Sequence, residues 1–355
     1  MNNFYKKGSF ALMNKKVLKV INGEKLSPPP IWMMRQAGRY LPEYRHVREA
    51  AGNFLNLCYT PILAAEATLQ PMRRFNLDAA ILFSDILLVP HALGRDLRFE
   101  ENHGPIMTPL TASDIRKLDI THAIERLSAP FETIERVKAK LNDETTLIGF
   151  SGAPWTVATY MIAGHATFNQ APARLFSYSH PKAMKSLLEC LADVSADYLL
   201  KQISAGVDAI QIFDSLAYFL DETSFEAMCI QPMQRMVKRI KQIHPKIPII
   251  GFPRGAGIFY KDYAKKTGIT ALGLDCSVPL FFAKQLQKDL PVQGNLDPIR
   301  LAAGGDALDC GIDAILNSLG NGPLIFNLGH GIIPSTPIRH IEQMIKRVQE
   351  NKINT

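Results

Sequence analysis

TLIGFS at 146–151, an amphipathic segment at 181–204 and DAIQIFD at 208–214 decide how this chain folds. The two apolar runs are short, bounded by Gly, Pro or Asp, and apolar at neighbouring positions. Strands covered on both faces have that composition. Between them, Met184, Leu187, Leu188, Leu191, Val194, Tyr198 and Leu199 recur at helical spacing and predict one helix face laid on a core. Strand, crossover helix and strand in that order make a parallel pair.

The same unit recurs on both sides. Further apolar runs at 30–34, 78–85, 247–252, 271–275, 291–295 and 324–328 bring the strand candidates to eight. Helical spacing returns at 224–243, through Phe225, Met228, Met233, Met236, Val237 and Ile240. It returns again at 337–348, where Ser335 or Thr336 stands as a cap before Pro337. The expected fold is α/β: a single-domain (β/α)8 barrel of the TIM type, with its active site at the C-terminal mouth of the strands. An open doubly wound sheet is the rival, but the chain has no GxGxxG turn and no P-loop. The barrel is expected over 26–350, between a solvated Lys-rich lead-in at 1–25 and a short tail at 351–355.

With 47% hydrophobic residues in 355, the chain is too apolar to be disordered. Its 40 basic and 33 acidic side chains leave +7 spread along the chain, without the concentrated basic stripe of a nucleic-acid binder. Cys58, Cys190, Cys229, Cys276 and Cys310 are scattered and form no CxxC, so neither a disulfide scaffold nor a thiolate zinc cluster is expected, and the cytoplasm fits. The uncharged stretches 145–173 and 314–338 are long enough to span a bilayer, but Gly and Pro interrupt both. Buried strands followed by polar loops explain them, and no membrane partner is expected.

Polar groups and glycines follow each apolar run: Arg35 to Arg39, Ser84-Asp85, Gly152 to Trp155 with Tyr160 beyond, Asp214-Ser215, Arg254-Gly255, Asp275-Cys276, Gly294-Asn295 and Gly329-His330-Gly331. A barrel gathers these ends at one mouth. Arg35 and Arg39 are either solvated loop residues or a pair of planar forks for carboxylates. Asp85 is a helix cap or a functional carboxylate, and Asp214 and Ser215 carry the same ambiguity. Tyr160 reads first as core. His330 lies between glycines that permit close approach. Arg254 and Asn295 read equally as ligand-facing groups or as rim scaffolding. There is no HExxH, no His-x-Cys, no GxSxG, and no lysine at the end of a run. From the residues alone the chain reads as a barrel enzyme for a polyanionic small molecule.

Seven blocks carry a resemblance: PIWMMRQAGRYLPEYR at 30–45, FSDIL at 83–87, IGFSGAPWTVATYM at 148–161, QIFDS at 211–215, GFPRG at 251–255, QGNLDP at 293–298 and NLGHG at 327–331. Together, and in this order, they resemble the uroporphyrinogen decarboxylase family. The resemblance implies removal of carbon dioxide from the four acetates of uroporphyrinogen III, giving coproporphyrinogen III for haem. It implies a homodimer, and neither cofactor nor metal. Carried over by motif, it implies substrate contacts at Arg35, Gln36, Ala37, Gly38, Arg39, Asp85, Tyr160, Ser215 and His330. Asp85, Arg35 and Tyr160 take the catalytic roles, with Asp85 stabilising a cation. The proton donor stays open between Arg35, whose pKa is very high, and His330, whose usual pKa suits. Four positions depart from the family pattern: Leu216 and Tyr218, where Trp and Gly are frequent, and Cys276 and Ser277, where Trp-Thr or similar is frequent. The rivals are a zinc-dependent corrinoid methyltransferase of the same superfamily and a non-catalytic tetrapyrrole carrier.

Overall fold

The computed structural model describes residues 14–100 and 103–350. Seven parallel strands form one sheet in the order β1 (Ala79–Ile81), β4 (Thr146–Gly152), β5 (Ala209–Asp214), β6 (Ile249–Pro253), β7 (Ala271–Gly273), β8 (Val292–Leu296) and β9 (Leu324–Leu328). The eighth expected strand, 30–34, shrinks to a single parallel bridge between Ile31 and Phe326. It still closes the ring. On one side the Phe326 N–H donates to the Pro30 carbonyl at 2.8 Å, and on the other the Asp78 N–H donates to the Ile31 carbonyl at 2.9 Å. The Asp78 carboxylate also accepts the Ile31 N–H at 2.8 Å. Eight staves therefore surround the interior, and the open-sheet rival falls. A two-stranded antiparallel hairpin, β2 (Arg98–Glu100) with β3 (Gly104–Ile106), was not foreseen. Its strands are too short and too exposed to show a period.

Inside the barrel the inward residues alternate in size: Ala79, Ile148, Ala209, Ile250, Ala271 and Ile325, with Trp32 and Met34 from the closing stave. Small beside large is how a tapered interior fills without voids. A polar chain crosses this core. The Trp32 indole N–H donates to Gln293 at 2.9 Å, and the Gln293 amide donates to Gln211 at 3.0 Å. Helices wrap the outside. The one over Pro181–Ala205 matches the expected 181–204 closely, because Pro181 opens it and Gly206, at φ +117°, ends it. The continuous helix expected at 224–243 is divided into Glu222–Phe225, a wider π turn at Glu226–Ile230, and Gln231–Ile243. Pro232 has no N–H to complete the α ladder at that turn.

The solvated lead-in expected at 1–25 is corrected where it is described. Lys16–Ile21 form a helix that buries Val17, Leu18, Val20 and Ile21 against the barrel interior. Lys15 is itself buried and pairs with Asp208 at 2.5 Å, while Asp208 also accepts Lys138 at 2.8 Å. The lysine count obscured an amphipathic turn whose apolar side plugs the barrel floor. Residues 1–13 of that lead-in, and the expected tail at 351–355, lie outside the described residues. Among the described residues no helix is long and apolar enough to cross a membrane.

Candidate active site

The turn after the closing stave carries Arg35 to Arg39. Arg35 occupies the left-handed region, at φ +61°, which L-residues enter at a cost. The turn is held from beneath. The Gln36 N–H donates to the Met33 carbonyl at 3.1 Å, and the Gln36 side chain accepts the Met33 N–H at 3.2 Å and donates to the Ala79 carbonyl at 3.2 Å. Gln36, expected among the substrate contacts, is therefore corrected for its side chain: it is buried and fully engaged in fixing the turn. Ala37 and Gly38 are half-buried, and Arg35 and Arg39 are exposed. Neither arginine is ion-paired among the described residues, so both forks are open to an anion.

Asp85 follows β1 and is half-buried. Its Oδ1 accepts the Leu87 N–H at 2.8 Å within a turn, and the helix that follows, Leu88–Ala92, starts from Leu87 with no side-chain cap, so the helix-cap reading falls. Oδ2 has no hydrogen-bond partner among the described residues, which leaves it open to a ligand. Burial pushes the carboxyl up to about 6, while the Leu87 N–H and the Arg35 charge pull it back toward ionisation. Tyr160 is packed against the core, as its default reading expects, yet it feels the charges of Asp85, Arg35 and Arg254. Burial first, then the Asp85 anion, holds its phenol above the usual value, so it remains an O–H donor.

His330 follows β9. Burial, then the charges of Arg35 and Arg254, push it down to about 3. It is a neutral imidazole at pH 7, which corrects the expectation that its pKa suits a resident proton donor. The glycines around it admit protein neighbours. A Cβ on Gly331 would stand 2.3 Å from Arg35 Cδ, and one on Gly329 would stand 2.3 Å from the Cys276 backbone nitrogen. Arg35 thus lies across Gly331, next to His330.

The β5 end divides its work. Asp214 is buried and accepts the Thr156 hydroxyl at 2.6 Å; Thr156 in turn accepts the Leu216 N–H at 3.0 Å. This ties the loop after β5 to the helix after β4. Leu216, a departure from the family pattern, takes part through its backbone, and its carbonyl accepts the Trp155 indole N–H at 2.9 Å. Ser215 is half-buried, and its hydroxyl makes no protein hydrogen bond among the described residues. Asn295 takes the scaffolding reading of its two: its amide donates to the Asp275 and Val278 carbonyls, each at 3.0 Å. Asp275, not singled out from sequence, is a second structural carboxylate. Its burial is outweighed by hydrogen bonds from Ser277, Gly255 and Tyr260, which hold it below its usual value.

Below these groups lies an aromatic floor. Phe150 and Phe213 meet edge to face at 5.5 Å, and Phe213 meets Phe252 at 6.0 Å. Alternation along β4, β5 and β6 turns these rings inward at the upper ends of the strands. An apolar floor rimmed by arginines, with one Asp85 oxygen free of protein hydrogen bonds among the described residues, suits a large ring with acidic side chains. The uroporphyrinogen decarboxylase family model matches residues 12–351.

The chain belongs to that family.

Uroporphyrinogen decarboxylases of Brucella canis and Brucella melitensis are each 62% identical to it over 340 residues, covering 96% of this chain and all of theirs. Among solved structures, a methyltransferase from Methanosarcina mazei superposes with a TM-score of 0.78 at 18% identity, over 95% of this chain and 98% of that one. That likeness concerns the barrel alone. Among the described residues no group of three or more His, Cys, Asp or Glu is placed to hold a metal ion. Two clefts elsewhere on the surface carry charges that are already paired, Arg126 with Asp119 at 2.6 Å and Lys266 with Glu226 at 2.9 Å.

Proposed function

We propose that this chain decarboxylates the four acetate side chains of uroporphyrinogen III to methyls, giving coproporphyrinogen III, and that Asp85 stabilises the cation through which each loss passes. The chain is a carboxy-lyase of haem biosynthesis. The observation that carries the assignment of Asp85 is its single unengaged oxygen beside Arg35, in a mouth floored by aromatic rings.

An acetate on a pyrrole cannot simply lose carbon dioxide, because the electron pair left behind has no acceptor. Adding a proton to the ring carbon next to the one that bears the acetate makes the pyrrole a cation conjugated with that substituent, so an exocyclic double bond can form. The C–C bond to the carboxylate then breaks, its electron pair neutralises that cation, and carbon dioxide leaves. A proton delivered to the exocyclic carbon and the loss of the ring proton complete a methyl. Each round takes up one proton overall. Asp85 accepts pyrrole N–H bonds and places its charge where the cation develops, a kind of fixed electrostatic stabilisation worth about 2.7–4 kcal/mol per group in other enzymes. With its carboxyl near 6, Asp85 is mostly ionised at pH 7 and above.

Arg35 and Arg39 bind side-chain carboxylates, and Arg35 keeps Asp85 charged. Tyr160 and neutral His330 supply hydrogen bonds to the substrate, and Ser215, Ala37 and Gly38 line its path. No step calls for a metal or a prosthetic group. A homodimer in the cytoplasm completes the proposal; the exposed Phe168 and Phe219, in ring contact at 5.9 Å, are apolar surface of the kind that a second copy covers.

The test is anaerobic incubation of purified protein with uroporphyrinogen III, followed by oxidation and chromatographic counting of carboxylates. Products with seven, six, five and four carboxylates are expected without any additive. An intact eight-carboxylate peak in the presence of bound substrate would favour the carrier instead.

A further inference from the structure

Arg254 reads from sequence equally as rim scaffolding or as a ligand-facing group, and its surroundings are those of a binding group. It stands at the end of β6, which is the fifth stave when the ring is counted from the closing stave that bears Arg35. In a ring of eight, the first and fifth staves face each other across the mouth. Arg254 is half-buried, and among the described residues it is ion-paired with no carboxylate. Of the nearby carboxylates, Asp275 is engaged by Gly255, Tyr260 and Ser277, and Asp214 is buried, with Oδ1 bonded to Thr156 and Oδ2 accepting no hydrogen bond from Arg254 or any other described residue.

The guanidinium is nevertheless held in place. It lies over the Tyr218 ring, 5.5 Å from the centroid, and Nη1 donates to the Ser215 carbonyl at 3.4 Å. Its backbone is fixed by N–H donation to the Asp214 carbonyl at 3.0 Å, and the next residue is fixed by the Gly255 N–H donating to Asp275 at 2.6 Å. Gly255, at φ +78°, makes the shelf possible: a Cβ there would stand 2.7 Å from Tyr218 Cβ. Stacking on a ring leaves the remaining N–H groups of the fork directed away from it, with little freedom left to lose on binding. The charge of Arg254 reaches His330 and Tyr160, two of the groups that Arg35 also reaches. The two arginines therefore flank one central space.

We propose that Arg254, seated on Tyr218, is a further substrate-binding residue that takes a side-chain carboxylate of the tetrapyrrole on the rim facing Arg35. The inference rests on the decarboxylase reading above and assigns a second anchor to that same site. Two anchors across the mouth hold the ring in plane over Asp85, which a pair on one turn does not do alone.

The experiment measures kcat and KM for uroporphyrinogen III decarboxylation in wild type, Arg254→Gln, Arg254→Lys, Tyr218→Gly and the double variant Tyr218→Gly/Arg254→Gln. Arg254→Gln is expected to raise KM about ten- to hundredfold, the range for loss of hydrogen bonds to a charged group, with kcat changed less than about threefold. Arg254→Lys is expected to recover part of the loss, because charge remains without the fork. Tyr218→Gly should raise KM alone, yet add little on top of Arg254→Gln, since the ring acts only through the guanidinium. Unchanged KM in a folded Arg254→Gln protein would overturn the proposal. So would equal losses in kcat and melting temperature with KM preserved, which is the signature of scaffolding. If Arg254→Gln fails to fold, Arg254→Lys decides on the same KM criterion. If wild type itself forms no decarboxylated product, the decarboxylase reading fails, and the Arg254 proposal fails with it.

Discussion

Replacing Asp85 with asparagine should make the protein more stable and nearly inactive. In the folded chain the Asp85 carboxyl is raised from the usual 3.8 to about 6, by burial first, against the pull of the Leu87 N–H and Arg35. A raised acid means that folding disfavours the charged form, so above pH 6 the fold carries the cost of an ionised group in a poorly solvated place. The distance from 3.8 to about 6 corresponds to about 3 kcal/mol, and water in the open mouth reduces this to roughly 1–3 kcal/mol. The asparagine amide would keep the oxygen that accepts the Leu87 N–H and drop the charge. For a chain of this length about 2 kcal/mol moves Tm by roughly 3 °C. The assay is thermal and urea unfolding of wild type and Asp85→Asn between pH 4 and 8, with turnover measured in parallel. The gain should be full at pH 8, shrink as pH falls through 6, and be gone near pH 4, where Asp85 is protonated in the folded state. Turnover should fall at least about a hundredfold. An Asp85→Asn protein that melts at or below wild type at pH 8, or a gain of the same size at pH 4, would refute the reasoning. Near-normal turnover would remove Asp85 from the mechanism.

The acid limb of kcat/KM should bend near pH 6 in wild type and fall about tenfold per pH unit below it, as Asp85 takes up a proton; a flat profile between pH 5 and 7 would contradict this. Gly331→Ala should raise KM with little loss of stability, because the new methyl meets the flexible Arg35 side chain at 2.3 Å and pushes the guanidinium out of place; KM and Tm measured together check it. Lys15→Ala should cost about 1–3 kcal/mol in urea unfolding without altering kcat, since it strips a buried partner from Asp208 while Lys138 and the Leu147 N–H remain. The imidazole of His330 should show no titration between pH 8 and 5 in NMR of the free protein, because burial and two neighbouring guanidinium groups hold it neutral.

The eight apolar runs were legible because a strand covered on both faces has to be apolar throughout, and that composition survives in one dimension. The helix at 181–205 was legible for a similar reason: its face recurs with the period of the backbone itself. The PIWMMRQAGRY block and its companions likewise put Asp85 and His330 at strand ends, and Tyr160 just beyond one, before any contact was seen. What the sequence could not hold were properties that belong to pairs. The closing stave reads as a full strand, yet it makes one bridge, because the neighbouring β9 and β1 decide how much of it can pair. The lysines at 15, 16 and 19 read as solvated, yet Lys15 is buried by a partner, Asp208, 193 residues away. Gln36 reads like Arg35 and Arg39, and only the fold turns its amide inward to Met33 and Ala79. His330 carries no mark of its neutrality, because the burial that chiefly lowers its pKa, and the charges of Arg35 and Arg254 that add to it, arise only when other staves close around it. Arg254 became a binding group only when the ring set it across from Arg35 and the loop after β5 brought Tyr218 beneath it. The chain encodes which residues are apolar and at what spacing. Distances, burial and charge between remote residues come into being only when the barrel closes, and they set the chemistry of the mouth.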